Sequence, residues 1–314
     1  MPRRDLVREQ LEAIAVAERS PHAPASLELF RRCLGGRSNL AAARVAQAAA
    51  DHDLRELIPE LVTAFSSYLQ DPVKRDPRCA AKIAIAEALD RLEYDEGGVF
   101  LQGLRHVQME PVWGGSVDSA AALRARSAMA LVRLNHSDRY RFLADLLFDR
   151  WPEARRGAVQ AAAYAAGDAG ELMLRMKVRM GDENPAIIGD CFAGLIQIDP
   201  ESGLRLVGKH LESSDSQLRE LAAIALGESH LPEALGLLRT SIAQCFDLVG
   251  FKTLALAIGL CRTDEAFTLL LDLVAGRPTP FARGALEGLS LCATNAERRR
   301  QAAEVVRSRG LELV

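Results

Sequence analysis

Asp76, Asp118 and Asp149 are each followed six positions later by a base, Lys82, Arg124 and Arg155 in turn. An aspartate at the mouth of a helix accepts hydrogen bonds from the first N–H groups, which have no partner inside the helix. A base a turn and a half further on then pairs with that carboxylate or with a neighbouring one. Ser38 with Arg44 and Ser213 with Arg219 keep the spacing with a capping hydroxyl instead, whereas Asp182 meets Ile188 at that offset. The chemistry of this set is ion pairing, so Asp76, Lys82, Asp118, Arg124, Asp149, Arg155 and Arg219 are expected to hold turns together before they meet any ligand.

The residues expected to meet a ligand stand in two other stretches, Asp71-Pro72-Val73-Lys74-Arg75-Asp76-Pro77 and Gln108-Met109-Glu110-Pro111-Val112-Trp113-Gly114-Gly115-Ser116-Val117-Asp118. With the three residues ahead of the second stretch they offer Lys74, Arg75, Arg105, His106, Glu110 and Trp113. Tryptophan is a favoured interface anchor, and this chain holds two. Gly114 and Gly115 add backbone conformations closed to other residues. An anchoring Trp113 competes with one that folds back over apolar surface and staples its own loop. Trp151, directly before Pro152, reads as packing.

No catalytic constellation emerges beside these. Cys33, Cys79, Cys191, Cys245, Cys261 and Cys292 stand singly, without a CxxC pair or matching histidine spacing, and read as reduced, buried thiols. His210 and His230 lack a carboxylate at metal-ligand spacing. Gly35-Gly36 and Gly97-Gly98 lack the following Lys and Ser/Thr of a phosphate-cradling loop. No catalytic residue, metal or cofactor is expected, and a non-catalytic chain is the leading expectation.

Composition narrows the partners. A net charge of −3 and a pI near 6.1 give no overall field to draw nucleic acid or an anionic membrane. Residues 3–12 carry Arg3, Arg4, Asp5, Arg8, Glu9 and Glu12 in place of a signal peptide's apolar core, and no stretch reaches membrane-spanning length. A cytoplasmic protein whose partner is another protein or peptide is therefore expected. With 49% apolar but 5% aromatic residues, the interior must be built from Ala, Leu, Ile and Val, which suits thin, closely packed helices and speaks against a large cofactor.

The elements that position all of this repeat. Polar breaks fall at Asp138, Asp168, Asp199, His230, Thr263 and Thr294, at intervals of 30, 31, 31, 33 and 31 residues. Between the breaks lie pairs of Ala/Leu-rich helices, with prolines such as Pro152, Pro185, Pro200 and Pro232 at helix starts. The spacing predicts eight pairs. Their first helices lie near 26–34, 53–70, 95–107, 138–150, 168–181, 199–212, 231–244 and 263–275. Their second helices lie near 38–51, 77–92, 119–134, 152–166, 184–198, 215–228, 247–262 and 279–292. Charged helices near 5–19 and 295–309 suit terminal caps, with Arg298, Arg299 and Arg300 on a solvated face. No interval shows sustained strand alternation, so essentially no sheet is expected. The intervals from Asp53 to Asp95 and from Asp95 to Asp138 are longer, 42 and 43 residues, and the excess falls at 71–77 and 108–118.

The runs Ala81-Lys82-Ile83-Ala84-Ile85-Ala86-Glu87-Ala88-Leu89, Leu123 to Leu131 and Leu218 to Leu226 share one pattern, which resembles the HEAT repeat in the short form common in bacterial HEAT-like proteins. The resemblance implies an all-α fold, a right-handed α-α superhelix with about eight pairs and capping helices. It also implies that the Asp-to-base spacing forms a ladder between adjacent repeats. One solenoid domain over 1–314 follows: cap and first helix in 1–37, repeats in 38–292 with enlarged turns at 71–77 and 108–118, and a C-terminal cap in 293–314.

HEAT-like chains include enzymes. Deoxyhypusine hydroxylase binds two irons through His-Glu pairs, but the six histidines here precede Ala23, Asp53, Val107, Ser137, Leu211 and Leu231. The HEAT-like DNA glycosylases use a basic, aromatic-lined groove, which a chain of 39 bases and 42 acids does not suggest, and nothing marks the tetrapyrrole site of a bilin lyase. The leading expectation is a protein-protein interaction scaffold that binds a partner segment on its inner helix face, on the ridge of the 71–77 and 108–118 loops, or on both. The alternative is a HEAT-like lyase or nucleic-acid glycosylase with its site in the groove. Equivalent turns of neighbouring repeats lie roughly 10 Å apart, so the two loops should touch.

Overall fold

The computed structural model describes residues 3–311 and consists of helix pairs in two compact units, residues 1–161 and 162–314. In the first unit the order is α1 (Arg3–Ala17), α2 (Pro24–Leu34), α3 (Asn39–Asp51), α4 (Ile58–Tyr68), the short α5 (Pro72–Arg75), α6 (Ala80–Arg91) and α7 (Gly98–Arg105). A hairpin of β1 (Met109–Val112) and β2 (Gly115–Asp118) follows, then α8 (Ala121–Arg133), α9 (Arg139–Leu146) and α10 (Pro152–Ala165), whose last turn enters the second unit. The second unit continues with α11 (Gly167–Met180), α12 (Pro185–Ile198), α13 (Pro200–Lys209), α14 (Ser216–Glu228), α15 (Pro232–Ala243), α16 (Leu248–Cys261), α17 (Asp264–Gly276), α18 (Thr279–Cys292) and α19 (Ala296–Ser308). The fold is a HEAT-like, all-α array of helix pairs. No described helix is long and apolar enough to cross a membrane.

Each pair is delimited by local chemistry. Asp199, Asp215, Asp247, Thr263 and Asn295 cap α13, α14, α16, α17 and α19 with side-chain oxygens on backbone N–H groups. After α3, α6 and α8 the chain turns through a left-handed residue, Asp53, Glu93 or Asn135. The N–H of the following Leu54, Tyr94 or His136 then donates to the carbonyl five residues back, at 2.9–3.0 Å. This is the Schellman termination, in which a single left-handed residue ends the helix and the next N–H satisfies one of its last carbonyls.

The second helices pack on one another through each stack, α3 on α6 and α6 on α8 in the first unit, α12 on α14, α14 on α16 and α16 on α18 in the second. Their contact faces are alanine-rich: α3 buries Ala41, Ala42, Ala46, Ala48 and Ala49 around Val45. Between α16 and α18 the backbones come so close that a Cβ on Gly288 would lie 2.1 Å from the Ala255 carbonyl oxygen. The larger side chains, among them Phe30, Phe65, Phe100, Phe192 and Phe251, are buried in the core.

The array differs from the sequence expectation in its insertions. The 108–118 stretch forms a two-stranded antiparallel hairpin, with Met109 opposite Asp118 and Val112 opposite Gly115. Its four-residue strands, one interrupted by Pro111, are too short to show an alternating pattern. The 71–77 stretch becomes the single helical turn α5 and leads into Arg78 and Cys79, two successive non-glycine residues with φ of 62° and 55°. Five cysteines are buried, while Cys245 is only half-buried.

Candidate functional site

The ion pairs form the base of the site. Asp76, fully buried, accepts hydrogen bonds from the N–H groups of Ala81 (2.8 Å) and Lys82 (3.1 Å) and from Lys82 Nζ (2.9 Å). Lys82 Nζ also donates to the Tyr68 carbonyl, and Asn39 Nδ2 reaches Asp76 from the preceding repeat at 3.1 Å. Asp118 accepts from the N–H groups of Gln108 and Ala120 and from Arg124 Nη1 at 2.6 Å. Arg124 then grips Asp149 of the next turn with Nε and Nη2, at 3.0 and 3.1 Å. Arg155 Nη1 donates to the carbonyls of Asp149 and Arg150 at 3.0 Å. A buried guanidinium held by two carboxylates and the His106 carbonyl has its charge compensated on every side.

Elsewhere the partners are different. Arg44 pairs with Glu18, and Ser38 caps α3 through the Ala41 N–H. Arg219 Nη1 donates to the carbonyls of Ser213 and Ser214, and the cap of α14 is Asp215. Asp182, opposite Ile188 by spacing, is paired with buried Lys177 at 2.8 Å, a base five residues upstream on α11. Reading forward from each aspartate could not find it.

The two insertions meet over this base through a residue the sequence did not single out, Gln108. Its side chain, 1% exposed, donates from Nε2 to the Asp76 carbonyl (2.8 Å) and to Glu110 Oε1 (2.7 Å). Its Oε1 faces His106 Nε2 at 3.2 Å, so the histidine donates from Nε2. Glu110 Oε1 further accepts from the Arg78 N–H (2.7 Å) and Ser119 Oγ (2.6 Å). Burial works to raise the Glu110 carboxyl, but the bonds from Ser119, Gln108 and Arg78 prevail and hold it below the usual range. Asp118 is lowered in the same way, its N–H donors and Arg124 outweighing burial. Burial lowers His106 and so favours the neutral ring, against the opposing effect of its Gln108 bond.

Above this locked base the hairpin projects into solvent. The strands are joined by Trp113 and Gly114, and Gly114 takes φ 88°, as the third position of a type II turn requires. Trp113 does not fold back: its exposure is 104% of the reference value. Met109 and Val112 are about half exposed beside it.

The structure therefore joins His106, Glu110, Trp113, Gly114 and Gly115 in one element and ties that element to the 76–78 turn. Arg105 is exposed at the end of α7. Lys74 and Arg75 line a separate depression of about 770 Å³ between α1, the start of α3 and the α5 turn. Trp151 lies under the Arg150 guanidinium, 5.5 Å from its ring centre, and its N–H donates to Asp149. In the second unit, α14, α16 and the turn carrying 84%-exposed Phe246 line another depression of about 500 Å³. Among the described residues no three His, Cys, Asp or Glu side chains are grouped to hold a metal ion.

No known protein family and no curated protein matches this sequence. Among solved structures, the chain is similar to a chain in the complex of CpcE and CpcF of phycocyanin lyase from Nostoc sp. PCC7120, at 17% identity over 79% of this chain and 94% of that one, with a TM-score of 0.38. It is also similar to human deoxyhypusine hydroxylase in complex with glycerol, at 14% identity over 92% and 91%, with a TM-score of 0.30.

Proposed function

We propose that the chain is a non-catalytic, protein-binding scaffold that takes a partner segment on the edge formed by its two enlarged turns, with Trp113 as the anchor. The observation that carries this reading is a fully exposed tryptophan on a hairpin whose base is locked. A tryptophan has about 150–250 Å² to bury, roughly 4–6 kcal/mol of gross hydrophobic gain at about 25 cal/mol per Å². Much of such a gain is usually offset by ordering the binding element. Here the strands are paired and Gln108, Glu110 and Asp118 are already bonded, so less ordering remains for the complex to supply.

The test replaces Trp113 with a photo-cross-linking amino acid in the native cell, identifies the adducts, and measures binding of each purified adduct partner to wild type and Trp113→Ala. A loss of at least tenfold in affinity, with an unchanged melting temperature, is expected for one partner. Equal affinity of every partner for both proteins rejects the anchor.

A further inference from the structure

We infer that the depression beside Lys74 and Arg75 receives an acidic segment of a partner protein that carries apolar side chains, in the manner of an amphipathic helix. The inference rests on the scaffold reading, since it names the chemistry of a partner at the same edge. The floor of the depression is apolar, built from Val7, Leu11, Leu40 and Pro77, and Leu40 is half exposed. Among the described residues its lining carries Arg8, Arg37, Lys74 and Arg75 against one carboxylate, Glu12, with Asp71 beside Lys74.

Two of these cations are occupied. Arg8 pairs with Glu12 at 2.8 Å and Lys74 with Asp71 at 3.2 Å, both in solvent, where such pairs contribute little. The other two have no carboxylate among the described residues. Arg37 makes no ion pair, and the Arg75 guanidinium lies over the Tyr68 ring at 5.9 Å. Guanidinium groups bind carboxylates through paired N–H donors, so two of them over an apolar floor select a chain bearing both acids and hydrocarbon. Nucleic acid would meet the charge and leave the floor uncovered, and a basic segment would be repelled.

The position links this surface to the hairpin. Pro77 lines the depression, and the N–H of the next residue, Arg78, is bound by Glu110. A segment lying along Leu40 and Pro77 therefore lies on the edge that carries the hairpin.

The experiment selects a phage-displayed library of random 16-residue peptides on the full chain and measures the enriched sequences as synthetic peptides. Enriched peptides are expected to combine two or more Asp or Glu with Leu, Ile or Phe, and to bind wild type at least tenfold more tightly than Arg37→Glu/Arg75→Glu. The neutral variant Arg37→Gln/Arg75→Gln, with the melting temperature of wild type, is expected to lose at least threefold, which separates lost recognition from lost folding. Enrichment of neutral or basic peptides, equal binding by the variants, or equally tight binding of polyglutamate or a single-stranded DNA 16-mer would overturn the inference. Partners cross-linked at position 113 separate the two readings. A partner weakened by Trp113→Ala but not by either arginine variant overturns the acidic-segment inference and leaves the scaffold reading standing. A partner weakened only by the arginine variants supports the acidic site and removes Trp113 as the anchor.

Discussion

Glu110 Oε1 lies 2.7 Å from the N–H of Arg78, so a carboxylate of the hairpin holds the first of two successive left-handed residues in the other insertion. Non-glycine residues cost roughly 1–2 kcal/mol each in that conformation. The bond joins the 71–79 and 108–118 segments into one surface, and it depends on charge.

The charge makes the edge sensitive to acid. His106, Glu110 and Asp118 all have folded-state values below their ordinary 6.5, 4.5 and 3.8. Between the folded and unfolded values the unfolded chain binds more protons, so stability rises with pH there. The contribution of each group is complete above its ordinary value and is lost as pH falls through its folded value. The denaturation midpoint is therefore expected to fall as pH drops below about 6.5, and more steeply below about 4.5. Glu110→Gln should flatten the second part. A midpoint constant from pH 7 to 4 would contradict this.

Removing Glu110 altogether leaves three donors, Arg78 N–H, Gln108 Nε2 and Ser119 Oγ, without this acceptor. Glu110→Ala is expected to cost about 1–3 kcal/mol in urea unfolding and to speed amide exchange at Arg78. Unchanged exchange at Arg78 would show that the bond does not hold that turn.

Lys82 Nζ is fully buried against Asp76. Lys82→Met strands a buried carboxylate and is expected to cost about 3–5 kcal/mol, whereas Lys82→Met with Asp76→Asn should recover part of that loss. A double variant no more stable than Lys82→Met would mean that the backbone donors, and not the ammonium, compensate Asp76.

Two glycine substitutions should move stability in opposite directions. Gly288→Ala would drive a methyl group to within 2.1 Å of the Ala255 carbonyl oxygen and force α16 and α18 apart, at a cost of about 1–3 kcal/mol. Gly236→Ala, within α15 and with nothing in its way, should gain about 0.5–1 kcal/mol. Thermal unfolding of both variants decides, and an equal effect would refute the close approach.

Thiol labelling of the native protein should begin at Cys245. Burial holds Cys79 and Cys191 at about 12. Cys245 is raised too, by burial and then by Asp247, but it is half-buried and reachable. Mass spectrometry after brief alkylation at pH 8 should find Cys245 modified first, and faster modification of Cys79 would be inconsistent with its environment.

Much of the architecture was legible without coordinates because it is local. Apolar period, capping residues, prolines at helix starts and polar breaks each act within a few residues, and they placed the eight pairs close to where the helices lie. The positions of the two insertions followed from the same count. What the tertiary structure decided depends on groups far apart in the chain. Gln108 became the link between the insertions because its amide reaches Asp76, 32 residues away, and Arg124 bridges to Asp149 across a turn. Lys177 was hidden because its partner lies ahead of it, across the end of a helix. The hairpin was missed because four-residue strands carry too little pattern and gain their order from the buried bonds at their base. The repeat intervals could place Trp113 in an insertion. Its exposure followed only from where that hairpin stands.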